Sequence, residues 1–440
     1  MPQDLLSLPT HRALARLAWP LVVLGVLRAS TLLVDSWFVG FLGTDALAAI
    51  AGCAFAVWIL GSLTELAGTG TQTLIAQAVG GRAPAATLRR IGAQGLLVSV
   101  AVAIAVVLLV PASGLYFDAL GIGAAARPLG IAYLDVSLLG AATLLIQGAL
   151  VGVYRGIGDT RAAMAISGLA LAANAALDPL FMFTLEGGIA GAAWATVVAN
   201  GLGAAVAFGD LARRGMTPLA PVDLPSVRRI FAIGTPLAAQ GTAFSLVYVA
   251  LGRVLAPFGA APLAALGLGH RVESLPYLFC LAFEMGVATL VAQHLGAGDV
   301  AGARRAGHAA ARFAAAAMLP FGVVLFVGAA PAFRVFTDDP AIIAAGVTYL
   351  RIQTVVWWAM AAESVYTGAF AGIGRTVPPL LVNGSLSALR IPMAMLFAHH
   401  LGADGVWIAI GASTLLKGVV LTSWWTFAPD LQAPRDRLAQ

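Results

Sequence analysis

The sequence predicts an all-α membrane protein of twelve transmembrane helices in two parallel six-helix repeats. Three observations predict it: an apolar composition, twelve apolar segments of spanning length, and short motifs that recur at one fixed offset. Hydrophobic residues make up 60% of the 440 residues and charged residues only 10%, where a water-soluble domain carries roughly 25% charged residues. So little charge cannot cover a surface facing water, so lipid is the solvent for most of the chain.

The net charge is +5. The basic residues sit in short loops between apolar runs, which excludes a nucleic-acid surface. Cys53 and Cys280 both lie inside apolar runs and form no disulfide framework or metal spacing. Lys417 is the single lysine among 25 basic residues. Arginine for lysine together with abundant alanine reads as GC-rich bacterial coding.

A span needs roughly 20 mostly apolar residues. Twelve segments qualify, near residues 14–40, 46–70, 91–112, 129–153, 162–184, 189–210, 229–255, 262–294, 307–330, 342–369, 378–399 and 404–427. The first continues past Pro20 to about Val39, which is longer than the apolar region of a signal peptide, so it reads as a retained span. Orientation follows from arginine placement. One set of loops carries Arg12, Arg16, Arg82, Arg89, Arg90, Arg155, Arg161, Arg213, Arg214, Arg228, Arg229, Arg304, Arg305, Arg312, Arg375, Arg435 and Arg437. The alternate loops carry Arg127 and Arg334 beside Asp45, Asp118, Asp338 and Asp339. The expectation is a multi-pass protein of the bacterial inner membrane with both termini cytoplasmic.

Four motifs recur in order, each displaced by the same number of positions. Thr73-Leu74-Ile75-Ala76-Gln77 returns as Thr289-Leu290-Val291-Ala292-Gln293, and Leu47-Ala48-Ala49 as Leu263-Ala264-Ala265. Tyr133-Leu134 returns as Tyr349-Leu350, and Gly156-Ile157-Gly158-x-Thr160 as Gly372-Ile373-Gly374-x-Thr376. The reading is therefore an N-terminal six-helix lobe over 1–212, a proline-rich cytoplasmic linker over 213–227 and a C-terminal six-helix lobe over 228–440. An even number of spans per repeat gives both the same orientation. Parallel repeats point to a cavity between lobes and to alternating access. Positions where the repeats differ are then informative, because scaffolding alone needs no asymmetry.

Ionisable groups inside a span cost about 3 kcal/mol each at a helix centre. Asp35 and Asp178 both lie about one turn below the outer end of an outward-running span, so they can share a depth. Asn174 is four residues before Asp178, and Thr196 and Asn200 are likewise four apart, so each pair projects from one helix face. Tyr133 begins near this level. Together these residues form a candidate polar pocket within the first lobe. Two carboxylates in a low-dielectric pocket favour holding a proton between them, as a coupling site requires. The repeat partners of Asp35 and Asp178 are Leu251 and Ala394, so the second lobe lacks the pair. In span 8, His270 and Glu273 share a face, and a local ion pair of Glu273 with Arg271 or Arg253 is the expected arrangement. Glu363 replaces Gln147 of the first repeat, a candidate second-lobe cation site. Pro20 is expected to kink span 1 below Asp35. Arg155-Gly156-Ile157-Gly158-Asp159-Thr160 lacks the Lys-Ser/Thr of a phosphate loop and reads as a turn in which Asp159-Thr160 caps span 5.

The chain resembles the multidrug and toxic compound extrusion (MATE) family, and within it the DinF-like branch. The likeness is carried by Asp35-Ser36-Trp37-Phe38-Val39-Gly40, Leu47-Ala48-Ala49, Thr73 to Gln77, Arg155 to Thr160, Asn174 with Leu177-Asp178-Pro179-Leu180-Phe181, and Gly191-Ala192-Ala193. In the second half it continues with Leu290 to Gln293 and Leu295-Gly296-Ala297-Gly298. The resemblance implies a V-shaped twelve-helix transporter, not an enzyme, and monomeric. It implies export of drugs or amphiphilic metabolites in exchange for protons or sodium, with no cofactor. It also implies an N-lobe cation site at Asp35, Asn174, Asp178 and Thr196, a bending proline at Pro20, and a second-lobe acid at Glu363. Two N-lobe aspartates beside a poor second-lobe site favour protons over sodium. Arg28 departs from the pattern, since a fixed positive charge below Asp35 pairs with it or repels cationic substrates. Arg28, Tyr133, Asn200, Glu273 and Glu363 are thus the candidates for substrate or second-lobe roles.

Three other classes compete. A related flippase for lipid-linked or amphipathic lipid substrates usually carries extra spans and an arginine-rich cavity, whereas here Arg28, Arg253, Arg271, Arg351 and Arg390 are the arginines available. An integral-membrane enzyme needs clustered His, Asp or Glu ligands, and the six histidines show no such spacing. A major-facilitator transporter normally carries Gly-x-x-x-Asp-Arg after span 2, where this chain reads Gly80-Gly81-Arg82-Ala83-Pro84.

Overall fold

The structure is a computed structural model that describes residues 5–427, apart from the side chains of Leu32, Leu33, Ser36 and Ser245. Arg435 and Arg437 of the orientation argument lie outside the described residues. All regular structure among the described residues is helical. The first repeat contains α1 (Thr10–Gly40), α2 (Thr44–Gly80), α3 (Ala85–Val107), a short α4 (Ser113–Leu120), α5 (Ala126–Leu139), α6 (Ala141–Gly156), α7 (Thr160–Pro179) and α8 (Gly188–Arg213). The second contains α9 (Leu224–Leu255), α10 (Ala260–Gly296), α11 (Val300–Val327), a short α12 (Ala329–Arg334), α13 (Pro340–Gly372), α14 (Val377–Leu401) and α15 (Ala403–Phe427).

Among the described residues, 11 helices are long and apolar enough to cross a membrane, and α5 with α6, bent by 45°, brings the number to 12. This is the predicted all-α, twelve-span fold. The boundaries differ where polar residues are buried. The segment predicted over 46–70 runs on in α2 to Gly80. Thr71, Gln72 and Thr73 depress the hydropathy there, yet they are buried. Protein rather than lipid surrounds that turn, and hydropathy cannot register the difference.

Contacts divide the described residues into two compact units, one spanning Trp19–Gly241, the other combining Leu5–Ala18 with residues 242–427. This division departs from the linear lobes 1–212 and 228–440 at both first helices. The start of α9 packs within the first unit, where Trp58 Nε1 donates to the Gly241 carbonyl at 3.0 Å and a Cβ on Gly70 would lie 2.6 Å from the Ile230 carbonyl. The start of α1 packs within the second, where Leu14, Leu17 and Ala18 join its buried apolar cluster. Pro20 and Pro236 are repeat partners. Each lies inside its helix, which continues through it, so Pro20 produces no break in α1. The linker is tied to α3: Gln94 Nε2 donates to the Pro221 carbonyl at 2.9 Å and Gln94 Oε1 accepts from the Asp223 amide at 3.1 Å.

Within each unit the fourth span is central. In the first, α6 packs on α2, α3, α7 and α8; in the second, α13 packs on α10, α11, α14 and α15. Glycines make the contact close in both. A Cβ on Gly156 would stand 2.8 Å from the Gln72 carbonyl, and one on its partner Gly372 would stand 2.5 Å from the Ala288 carbonyl. Gly152 and its partner Gly368 meet the carbonyls of Gly68 and Glu284 still more closely. Small residues that let backbones approach are the usual currency of helix packing in lipid. The repeats differ at Gly140, where α5 and α6 meet at a bend while α13 is one unbroken helix. The turn after α6 is as predicted, with Asp159 capping α7 by accepting from the Ala162 amide at 3.1 Å.

Candidate functional site

The candidate site lies in the first unit between two apolar clusters. Along α7 and the π-helical turn after it, Ile166 belongs to an inner cluster and Met182 to an outer one; Asn174 and Asp178 lie between them, 6% and 1% exposed. On α8, Thr196 and Asn200 fall between Ala192 of the outer cluster and Ala204 of the inner one. Local structure sets the register. Pro179 ends the α-helical run directly after Asp178, and one π-helical turn, Leu180–Thr184, follows; such turns are frequent at functional sites. Gly187 and Gly191 then close against the Phe181 carbonyl, which folds α8 back along α7.

The result is a connected polar group. Asn174 Nδ2 donates to Asp178 Oδ1 at 3.1 Å and to Thr196 Oγ1 at 3.4 Å. The Thr196 hydroxyl donates to the Ala192 carbonyl at 3.2 Å. Asp35 of α1 faces Asp178 within side-chain hydrogen-bonding reach, and Tyr133 of α5 lies within electrostatic reach of both carboxyls. Asp35 Oδ1 and Asp178 Oδ2 are buried and have no hydrogen-bond donor. Asn200, one turn further along α8, stays outside this hydrogen-bonded group. Arg28 has no ion pair with Asp35; the charges within its electrostatic reach are Glu65 of α2 and Arg155 of α6. The Thr69 hydroxyl donates to Glu65 at 2.5 Å.

In the second unit the arrangement expected of Glu273 is corrected. Its carboxylate accepts from the Tyr349 hydroxyl at 2.6 Å and Trp357 Nε1 at 3.3 Å, with His270 Nδ1 at 3.8 Å. Neither Arg271 nor Arg253 forms an ion pair with it, because α13 delivers two neutral donors to the α10 face where Glu273 stands. The buried cation nearby is Arg390 of α14, 2% exposed. Its guanidinium donates to Ser413 Oγ at 2.7 Å, to the Tyr248 hydroxyl at 3.1 Å and to Thr414 Oγ1 at 3.3 Å. Glu363 is met by Lys417 Nζ at 3.4 Å, so the cation beside this acid belongs to the chain itself. Sequence reasoning missed this network. The signals were present: Arg390 is the repeat partner of Asn174, and Lys417 is a lone lysine in mid-span.

Twelve spans in two repeats, with a polar group buried in one unit and donors closed around the acids of the other, define a multi-pass membrane protein. The MatE family model matches residues 20–180 and again 236–396, two stretches separated by the displacement that relates the sequence motifs. The chain belongs to the MatE family. It is 26% identical over 425 residues to a probable multidrug resistance protein NorM of Thermotoga maritima, covering 93% of this chain and 91% of that protein. A probable multidrug resistance protein NorM of Deinococcus radiodurans is 30% identical over 431 residues, covering 93% and 94%. An FAD transporter of Shewanella oneidensis is 28% identical over 438 residues, covering 94% of each. Among solved structures, a MATE protein in complex with MaL6 matches with TM-score 0.90 at 23% identity, covering 96% of this chain and 97% of that one. A MOP superfamily transporter from Pyrococcus furiosus, described by the reverse polarity of its binding pocket, matches with TM-score 0.89 at 22% identity, covering 96% of each. At these identities the structural likeness speaks for the fold.

Proposed function

We propose that this chain is a proton-coupled antiporter that exports amphiphilic small molecules, drugs among them, by alternating access. The observation that carries the reading is the pair of buried, donor-less oxygens on Asp35 and Asp178. A proton is the donor that pair lacks. Without it, two negative charges face each other in a water-poor pocket and repel. With it, the carboxyls share a hydrogen bond, and α1 is drawn toward α7. Asn174 and Thr196 hold Asp178 in place so that the movement falls on α1. That helix crosses from one compact unit to the other near Pro20, so a shift at Asp35 is transmitted along a single element. The two protonation states thereby bias two conformations, which is what coupling demands. The protein works in the bacterial inner membrane, as a monomer among lipids; its loop arginines favour both termini in the cytoplasm.

A second reading concerns the charge of the substrate. Two arginines, Arg28 and Arg155, stand within electrostatic reach of one another near Glu65, so positive charge gathers there. The Shewanella relative is named an FAD transporter. Both favour anionic amphiphiles over cationic drugs.

Inverted membrane vesicles holding a respiration-driven pH gradient test both readings. Cationic, neutral and anionic amphiphiles, a flavin nucleotide included, are added while a dye reports the gradient. Wild type dissipates the gradient with at least one class, and Asp178→Asn with none. Equal dissipation by Asp178→Asn would sink the site assignment, and a response only on adding sodium would move the coupling ion to sodium.

A further inference from the structure

The second unit contains an ion pair that the proposed cycle does not use. Lys417 of α15 and Glu363 of α13 lie 3.4 Å apart, with side chains 4% and 17% exposed. Lys417 is the only lysine in 440 residues, so it is not one of a population of surface lysines that drifted inward. A lone ammonium in mid-span is costly to insert and persists where a carboxylate faces it. The surroundings are built for a cation. The Glu363 backbone carbonyl accepts from Thr367 Oγ1 at 2.9 Å. Thr367 Oγ1 accepts from Asn383 Nδ2 at 3.2 Å, and Asn383, 3% exposed, leaves its Oδ1 buried with no partner. Ser364, the residue after Glu363, donates to Glu284 at 2.6 Å. Arg390 is the other cation within electrostatic reach of Lys417, and its own donors are turned to Ser413, Thr414 and Tyr248. Carboxylate, amide carbonyl and hydroxyl oxygens are the ligands that hard cations take.

We propose that Lys417 is a tethered counter-ion that sets the ion specificity of the transporter: its ammonium fills a monovalent-cation position at Glu363 and keeps sodium from binding there. A covalently held ammonium has an effective concentration that a dilute ion cannot match, so Glu363 stays neutralised in every conformation. The second unit then carries no exchangeable ion, and coupling is left to the first. Removing the ammonium while keeping the side-chain volume opens the position to sodium.

The test uses the purified full-length chain in detergent. Melting temperature is followed as sodium chloride replaces choline chloride at constant ionic strength. The proteins are wild type, Glu363→Gln, Lys417→Met and Lys417→Met/Glu363→Gln. Ligand binding to the folded state raises the melting temperature in a saturable way. A saturable sodium shift in Lys417→Met that is absent from the double variant is the expected result. Wild type and Glu363→Gln then show equal sodium responses, whatever the first unit contributes. Two outcomes overturn the proposal: a sodium response in Lys417→Met no larger than in Lys417→Met/Glu363→Gln, or a sodium shift in wild type that Glu363→Gln removes. The second comparison stands even where Lys417→Met yields no folded protein. Because every readout is a difference made by Glu363, it is independent of whether Asp35 and Asp178 carry protons.

Discussion

Asn174 donates to Asp178 from one helical turn away on the same face of α7. The same amide reaches Thr196 on α8. Alanine at position 174 removes both bonds and leaves a second oxygen of Asp178 without a donor. Losing a hydrogen bond to a charged group is worth about 2 kcal/mol, which is more than a tenfold change in an equilibrium. Asn174→Ala is therefore expected to cut proton-driven efflux by about tenfold or more without loss of folded protein. Transport in vesicles set against gel-filtration yield checks this. If efflux stays within twofold of wild type, Asn174 does not position Asp178. The grouping of Asn174 with Asp178 is legible in the sequence, because i and i+4 share a helix face whatever surrounds them. The partner of Arg28 is not. A side chain of that length reaches in several directions, and only the placement of α2 and α6 decides that Glu65 and Arg155 come within its electrostatic reach.

At the scale of the helix, the two repeats use one packing device. Gly368 of α13 lies so close to the Glu284 carbonyl of α10 that a side chain has no room, and backbone cannot give way as a flexible side chain can. Gly384 of α14, by contrast, has nothing within 4 Å of a built Cβ. Gly368→Ala is expected to destabilise by about 1–3 kcal/mol through overpacking. Gly384→Ala is expected to be neutral or to stabilise by up to about 1 kcal/mol through helix propensity and lost chain entropy. Melting temperatures of the two purified variants measure the contrast, and equal values would refute the close contact of α10 with α13. Periodic apolar runs announce these helices, whereas the end of α2 escapes them because its last turns are polar and buried in protein.

At the scale of the molecule, the repeat in sequence and the unit in space are different things. The repeat boundary falls between α8 and α9, yet residues 224–241 of α9 pack with the first unit and residues 5–18 with the second. A chain cut in the linker near Gly215 gives two fragments that each carry a helix start belonging to the other unit. Neither fragment is expected to give monodisperse protein alone, while co-expression of the two restores a stable, transport-competent complex. Gel filtration of each fragment and of the pair decides this, and a well-behaved isolated fragment would show that the exchange of helix starts is not needed for folding.

By itself the sequence determined the solvent, the number of spans, the twofold repeat and the helix-face grouping of Asn174 with Asp178. These follow from composition, periodicity and spacing, which are properties of the chain alone. The tertiary structure decided which buried charges meet. It set Tyr349 and Trp357 on Glu273 where a nearby arginine was expected, brought Arg28 within electrostatic reach of Glu65, and put the only lysine beside Glu363. Those partners come from helices far apart in sequence. A charge inside a membrane protein must find its counterpart across whichever helix the packing brings up, and no local pattern encodes that choice.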